Sequence, residues 1–147
     1  MCDLLEMEIA LAGQLLSEFD ADALEQQFLS QPQAECPVTH HFGPGVYIRE
    51  VKIPAGTIVV GHSHRDESLN MMLAGKMVLM IDGQIIAVSA PFFAVAKPGR
   101  KVAYVLEDAV WMNVYATEER DIDKLEAMYV DRSAAWLDHH AQAGGHA

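Results

Sequence analysis

Apolar positions change their spacing twice along this chain, and each change marks a change of structure. Over residues 3 to 19, Leu4, Leu5, Met7, Ile9, Leu11, Leu15, Leu16 and Phe19 occur without a proline, which predicts a helix with a broad apolar face. A second short helix is expected from Asp20 or Asp22 as N-cap through Leu24, Phe28 and Leu29. Pro32 ends it, because the residue before a proline avoids helical backbone. Gln33 to Pro44, with Pro37 and the Gly43-Pro44-Gly45 turn, reads as a linker.

From about residue 45 apolar and polar residues alternate in short bursts. The predicted strands are 46–53, 57–62, 68–73, 76–81, 84–88, 92–96, 102–106 and 110–115. Turns are expected at Ala74-Gly75, Asp82-Gly83, Ala90-Pro91, Pro98-Gly99 and Glu107-Asp108. Asp82-Gly83 carries the strongest hairpin signal, since both residues tolerate the positive φ of a type I′ turn. Short strands at this spacing predict a closed or double-sheet antiparallel barrel. After Tyr115 helical spacing returns. Thr117 or Asp121 caps a stripe of Ile122, Leu125, Met128 and Tyr129, and Ser133 to His140 is expected to continue it with Trp136 and Leu137 as anchors. Ala141 to Ala147 reads as a mobile tail. The expected division is 1–44 helical segment and linker, 45–116 barrel, and 117–147 C-terminal helix and tail.

Composition narrows the function. A chain of 147 residues at a net charge of −11 disfavours non-specific contact with nucleic acid or anionic membranes. No apolar run approaches the roughly 20 residues that span a bilayer. The acidic start Met1-Cys2-Asp3-Leu4-Leu5-Glu6 predicts no secretory signal. Cys2 and Cys36 are too few for a disulfide framework and are expected as thiols.

Candidate chemistry concentrates in Gly61-His62-Ser63-His64-Arg65-Asp66-Glu67. Residues two apart on an extended segment share a face, so His62 and His64 point the same way. With the Glu67 carboxylate they form a candidate half-shell for Fe, Mn, Ni or Zn. Lining the barrel mouth through hydrogen bonds, with no metal, is the alternative reading of the two imidazoles.

The pattern Gly56, His62, His64, an acidic residue, Gly75 and Asp82-Gly83 resembles the first motif of the cupin superfamily, and Lys97-Pro98-Gly99 resembles the turn of its second motif. The resemblance implies a small antiparallel jelly-roll barrel, flanked here by N-terminal and C-terminal helices. It also implies a divalent metal held by two histidines, a glutamate and a later histidine. Two positions depart from it. The glutamate position falls on Ser68, so Glu67 is out of phase unless a bulge at Arg65-Asp66 re-aims it. After Pro98-Gly99 come Arg100, Lys101, Val102, Ala103 and Tyr104, with no histidine, and a cationic side chain cannot replace one. Further donors are sought at His40 or His41, and Ser68, Asn70, Tyr104 and Asn113 are expected as polar barrel-lining residues.

Residues 36–50, with Lys97-Pro98-Gly99-Arg100-Lys101 and Leu106-Glu107-Asp108-Ala109-Val110-Trp111, resemble a group of small cupin-like proteins of tailed bacteriophages. That resemblance implies a non-catalytic, virion-associated structural or assembly protein in the virion or host cytoplasm. A homo-oligomer in contact with other phage structural proteins is then expected. The alternative is a metal-dependent oxygenase, isomerase or lyase using His62, His64 and Glu67. A third reading is a small-ligand sensor, with Tyr47, Tyr104, Trp111 and Tyr115 as aromatic walls.

Overall fold

The computed structural model describes residues 6, 7, 9–11, 13, 14, 20–81 and 84–143. Asp20 opens helix α1 (Ala21–Leu29), its carboxylate accepting the Ala23 N–H at 2.6 Å. Residues 6, 7, 9–11, 13 and 14 are also helical. Leu4, Leu5, Leu15, Leu16 and Phe19 of the expected first helix lie outside the described residues, as do Cys2 and the last residues of the tail, 144–147.

The barrel begins earlier than the sequence pattern predicts. Val38–Gly43, read as linker, forms strand β1 and pairs antiparallel with β2 (Val46–Ile53). The intervening Pro44-Gly45 makes the hairpin turn, with Gly45 at a φ of +70° that favours glycine. Strands β3 (Ile58–Val60) and β4 (Ser63–His64) follow, then β5 (Ser68–Ile81), β6 (Gln84–Ser89), β7 (Phe92–Ala96) and β8 (Val102–Tyr115). Ile81 faces Gln84, leaving two residues for the predicted hairpin turn; Asp82 and Gly83 themselves lie outside the described residues.

Four predicted strands are two. β5 and β8 each run 14 residues through the positions read as turns, Ala74-Gly75 and Glu107-Asp108. Their register shifts there, between Met72 and Met77. The shift has a physical reason. Asn70 and Met72 face the barrel interior in the first half of β5, Met77 and Leu79 in the second. An odd number of steps separates Met72 from Met77, so strict alternation would turn one half inside out.

Each long strand therefore serves both layers of the barrel. β1, β2, the second half of β8, the first half of β5, and β7 form one layer. β3, the first half of β8, the second half of β5, and β6 form the other. Between them lie Ile53, Met72, Met77, Leu79, Val88, Ala103, Val105 and Ala109. The opposite phase of the second layer, Val78 and Val102, packs outward against Leu24 of α1. Burying side chains of this size contributes roughly 1.5–3 kcal/mol each. Tyr104 belongs to this outer phase, against Ile58 and Val78, and does not line the barrel as the sequence reading expects. It alternates with Ala103 and Val105, which take the inward positions.

The C-terminal region crosses the mouth of the barrel. Asp121 caps α2 (Ile122–Tyr129) through the Lys124 N–H, and Leu125 seats on Tyr47 and Tyr115. The helix then stops, because Val130–Asp131 becomes strand β9 and pairs with β4. Ser133 starts a separate helix, α3 (Ala134–Gln142), in place of the predicted continuation.

A candidate small-molecule site at the barrel mouth

The inward residues of the first layer stack in rows set by the strand register. Tyr47 faces Tyr115; beneath them lie Arg49, Asn113 and Asn70; beneath these lie Val51, Trp111 and Met72; Ile53 and Ala109 follow. His62, His64 and Lys101 stand on the opposite wall, and Tyr129, Arg132 and Trp136 of the C-terminal region cover part of the opening. They enclose a cavity of about 450 Å³. Its floor is apolar, and its upper rows carry the polar groups.

Each polar group has a definable state. The Asn113 side-chain N–H donates to Asn70 Oδ1 at 2.7 Å, and Asn70 is only 2 % exposed. The Tyr115 hydroxyl lies 3.3 Å from His64 Nδ1. Burial pushes the Tyr115 hydroxyl up to about 12, so it is neutral and can donate. Burial, aided by the charges of Lys101 and Arg49 and by neighbouring His62, pushes His64 down to about 4. His62 is held below the ordinary imidazole value by burial first, then by Arg132, against an opposing pull from Glu25. Both rings are therefore neutral at pH 7, each with one donor and one acceptor nitrogen. Trp136 meets the His62 ring edge-on at 5.3 Å, and His62 Nδ1 is buried without a hydrogen-bond partner among the described residues.

Arg49 is the second unsatisfied group. Its neighbours in sequence alternate inward as Tyr47, Val51 and Ile53, so its guanidinium enters the barrel at half-buried depth. Arg65, Arg100 and Arg132 each hold a carboxylate. Among the described residues Arg49 has none within ion-pair distance.

Three contacts hold the cover in place. Arg100 donates to Gly61 O at 2.8 Å and to Glu25 at 2.7 Å, and the Ser133 hydroxyl donates to the same Glu25 carboxylate. Arg65 donates to Asp131 and to Ala127 O. The Arg132 guanidinium, paired with Glu126, lies 4.7 Å over the Trp136 ring.

The predicted metal set does not assemble. His62 and His64 share the cavity, but Glu67 is solvent-exposed. Ser68 and Asn70 take the inward phase of β5 and are buried, and the Arg65-Asp66 bend does not turn Glu67 inward. His40 Nδ1 lies 2.7 Å from the Tyr47 hydroxyl, and His41 faces Glu50 at 3.5 Å. Among the described residues no group of three or more His, Cys, Asp or Glu side chains converges for a metal. Two imidazoles fall short of the three protein ligands of catalytic zinc sites. The divalent ion implied by the cupin resemblance does not fit this donor set.

Sequence reading missed Arg49, although its place in the inward phase of β2 was a usable signal. It also missed Glu25, Tyr129 and Arg132 as parts of the site. Nothing local marks them, because Glu25 and Tyr129 arrive from chain-distant helices and Arg132 from the link between β9 and α3.

No protein-family model and no curated protein sequence matches this chain. Among solved structures it is similar to KdgF from Halomonas sp., at 16 % identity and a TM-score of 0.51, over 64 % of this chain and 89 % of that one. It is also similar to a cupin-2 domain protein from Shewanella frigidimarina, at 12 % identity and a TM-score of 0.44, over 71 % and 99 % of the two chains. A predicted oxalate decarboxylase from Thermotoga maritima matches at 11 % identity and a TM-score of 0.45, over 57 % and 83 %. At such identities the likeness speaks for fold alone. With the two-layer strand order, the architecture is a mainly antiparallel, cupin-type jelly-roll barrel flanked by helices. No helix among the described residues is long and apolar enough to cross a membrane.

Proposed function

We propose that the protein binds a small molecule in the cavity between its two layers, beneath the C-terminal segment. The observation that carries this reading is a cavity of about 450 Å³ with an apolar floor and with Arg49, Asn113 and the neutral His64 ring in its wall. The apolar floor and few convergent polar groups are what small-molecule sites use. Thermal-shift screening with a fragment library tests this. Millimolar fragments are expected to raise the midpoint by mass action, and Trp136→Ala to diminish those shifts. A library that never moves the midpoint, or hits indifferent to Trp136→Ala, contradicts the reading.

An assembly role, as the phage resemblance implies for a virion-associated protein, is favoured by one separate observation. The outer face of the first layer carries Val95, Leu69, Val114 and Ile48 in one row and Phe93, Met71 and Met112 in the next. Val95 is 65 % exposed and Phe93 59 %, in rows that continue across neighbouring strands. Homo-oligomer formation or contact with other phage structural proteins would cover this face. A strict monomer in light scattering, with no such protein retained by the purified chain, removes this reading.

A further inference from the structure

We propose that the ligand of this cavity is an organic monocarboxylate, its charged end seated on Arg49 beside Asn113 and its apolar body lying against Trp111 and Met77. The inference rests on the small-molecule reading above and names the chemical class.

A half-buried guanidinium without a counter-charge is unfavourable, because it loses hydration and gains nothing in return. Folding places Arg49 inside the barrel all the same, one row above an apolar floor. Its five donors form a planar fork that matches a carboxylate in bidentate fashion. Asn113, directly across from Arg49 in register, spends one amide hydrogen on Asn70 and keeps a second. The neutral Tyr115 hydroxyl stands in the row above. Arg49 and Asn113 thus place donors on one level of the cavity, with the Tyr115 hydroxyl one row above.

The count of charges selects the class. Arg132 already holds Glu126, Arg100 is committed to Asp22 and Glu25, and Lys101 on the opposite wall has an interaction of its own. A single uncommitted guanidinium suits a monoanion better than a phosphate dianion, whose sites gather several cations or backbone N–H groups. Below Arg49 the lining is Val51, Trp111, Met77 and Leu79, apolar except for the Trp111 indole N–H. The far end of the ligand is therefore hydrocarbon or aromatic.

Isothermal titration of the full chain with matched probes tests the class. The pairs are 3-phenylpropanoate against 3-phenylpropanamide and hexanoate against hexanamide, with phenyl phosphate as the dianion. Wild type is expected to favour each carboxylate over its amide. Arg49→Met should weaken the carboxylates about 30-fold and leave the amides nearly unchanged. Arg49→Lys, which keeps charge without the fork, should fall between. Because the guanidinium holds no carboxylate among the described residues, Arg49→Met should also melt at or above the wild-type temperature. Amides that bind wild type as well as carboxylates overturn the anion assignment and leave the cavity reading intact. Preference for phenyl phosphate overturns the carboxylate. A variant melting well below wild type overturns the unpaired state on which the inference stands. No binding by any probe, alongside a silent fragment screen, removes both readings.

Discussion

Gly75→Ala is expected to cost about 4 kcal/mol or more and to leave little folded protein at ambient temperature. Gly75 sits at a φ of +95°, in the irregular stretch where β5 switches the phase of its inward residues. A Cβ there would lie 2.5 Å from Asp108 O, 2.7 Å from Ala109 Cα and 2.8 Å from Glu107 O. All three are backbone atoms of the paired strand, so no side chain can rotate away. Positive φ alone costs an L-residue roughly 1–2 kcal/mol. Overlap with β8 adds the rest, because relief requires the two longest strands to separate. Gly56 is the internal control. It also has a positive φ, of +82°, but nothing lies within 4 Å of an added Cβ, so Gly56→Ala should cost only the conformational term. Urea unfolding of the two variants tests the contrast. Similar small losses at both sites would mean that the close approach of β5 and β8 at Gly75 is not as described.

Glu25→Ala is expected to cost about 1.5–3 kcal/mol and to loosen the cover of the cavity. Glu25 is 6 % exposed and faces Arg100, whose guanidinium is also largely buried. Burial alone would push the Glu25 carboxyl up. Hydrogen bonds from Arg100 and Ser133, with the Arg100 charge, outweigh it and hold the group below its ordinary value. Removing the carboxylate leaves Arg100 only the exposed Asp22 as counter-charge and frees the Ser133 hydroxyl, which caps α3 through the Trp136 N–H at 3.1 Å. Faster amide hydrogen exchange is therefore expected through the first turn of α3, with lower stability in urea. Arg65→Ala is the comparison, since its partner Asp131 is exposed and such pairs contribute at most about 1 kcal/mol. Equal effects from the two substitutions would contradict the distinction between buried and exposed pairs.

Much of the barrel was legible because strand alternation is a local signal. Residues 46–53, 84–88 and 92–96 declare their strands, and Asp20, Asp121 and Ser133 declare helix starts through their capping side chains. Gly75 misled for a definite reason: a glycine flanked by strand-like runs is the same local pattern whether the chain turns or bulges. Only pairing with β8 decides. β1 was hidden because Cys36-Pro37 and Gly43-Pro44-Gly45 punctuate a six-residue strand at both ends. At the site, period-two reasoning placed Ser68 and Asn70 on one face and Glu67 on the other, as the structure has them. The same reasoning pairs Arg49 with Tyr47 and Val51, yet a charge among apolar residues reads first as solvent-facing. Closure of the mouth by Tyr129, Arg132 and Trp136 has no local signature, since it depends on β9 finding β4 some 65 residues away.

Whether the His62–His64 pair serves an organic ligand or an ion is decided most directly by elemental analysis of the protein. The protein should be expressed in medium supplemented with Fe, Mn, Ni and Zn and then dialysed without chelator. Two neutral imidazoles with no inward carboxylate should retain no more than about a tenth of an equivalent of any of them. Close to one equivalent of a single metal, lost on His64→Ala, would show that the mouth of this barrel is a metal centre after all.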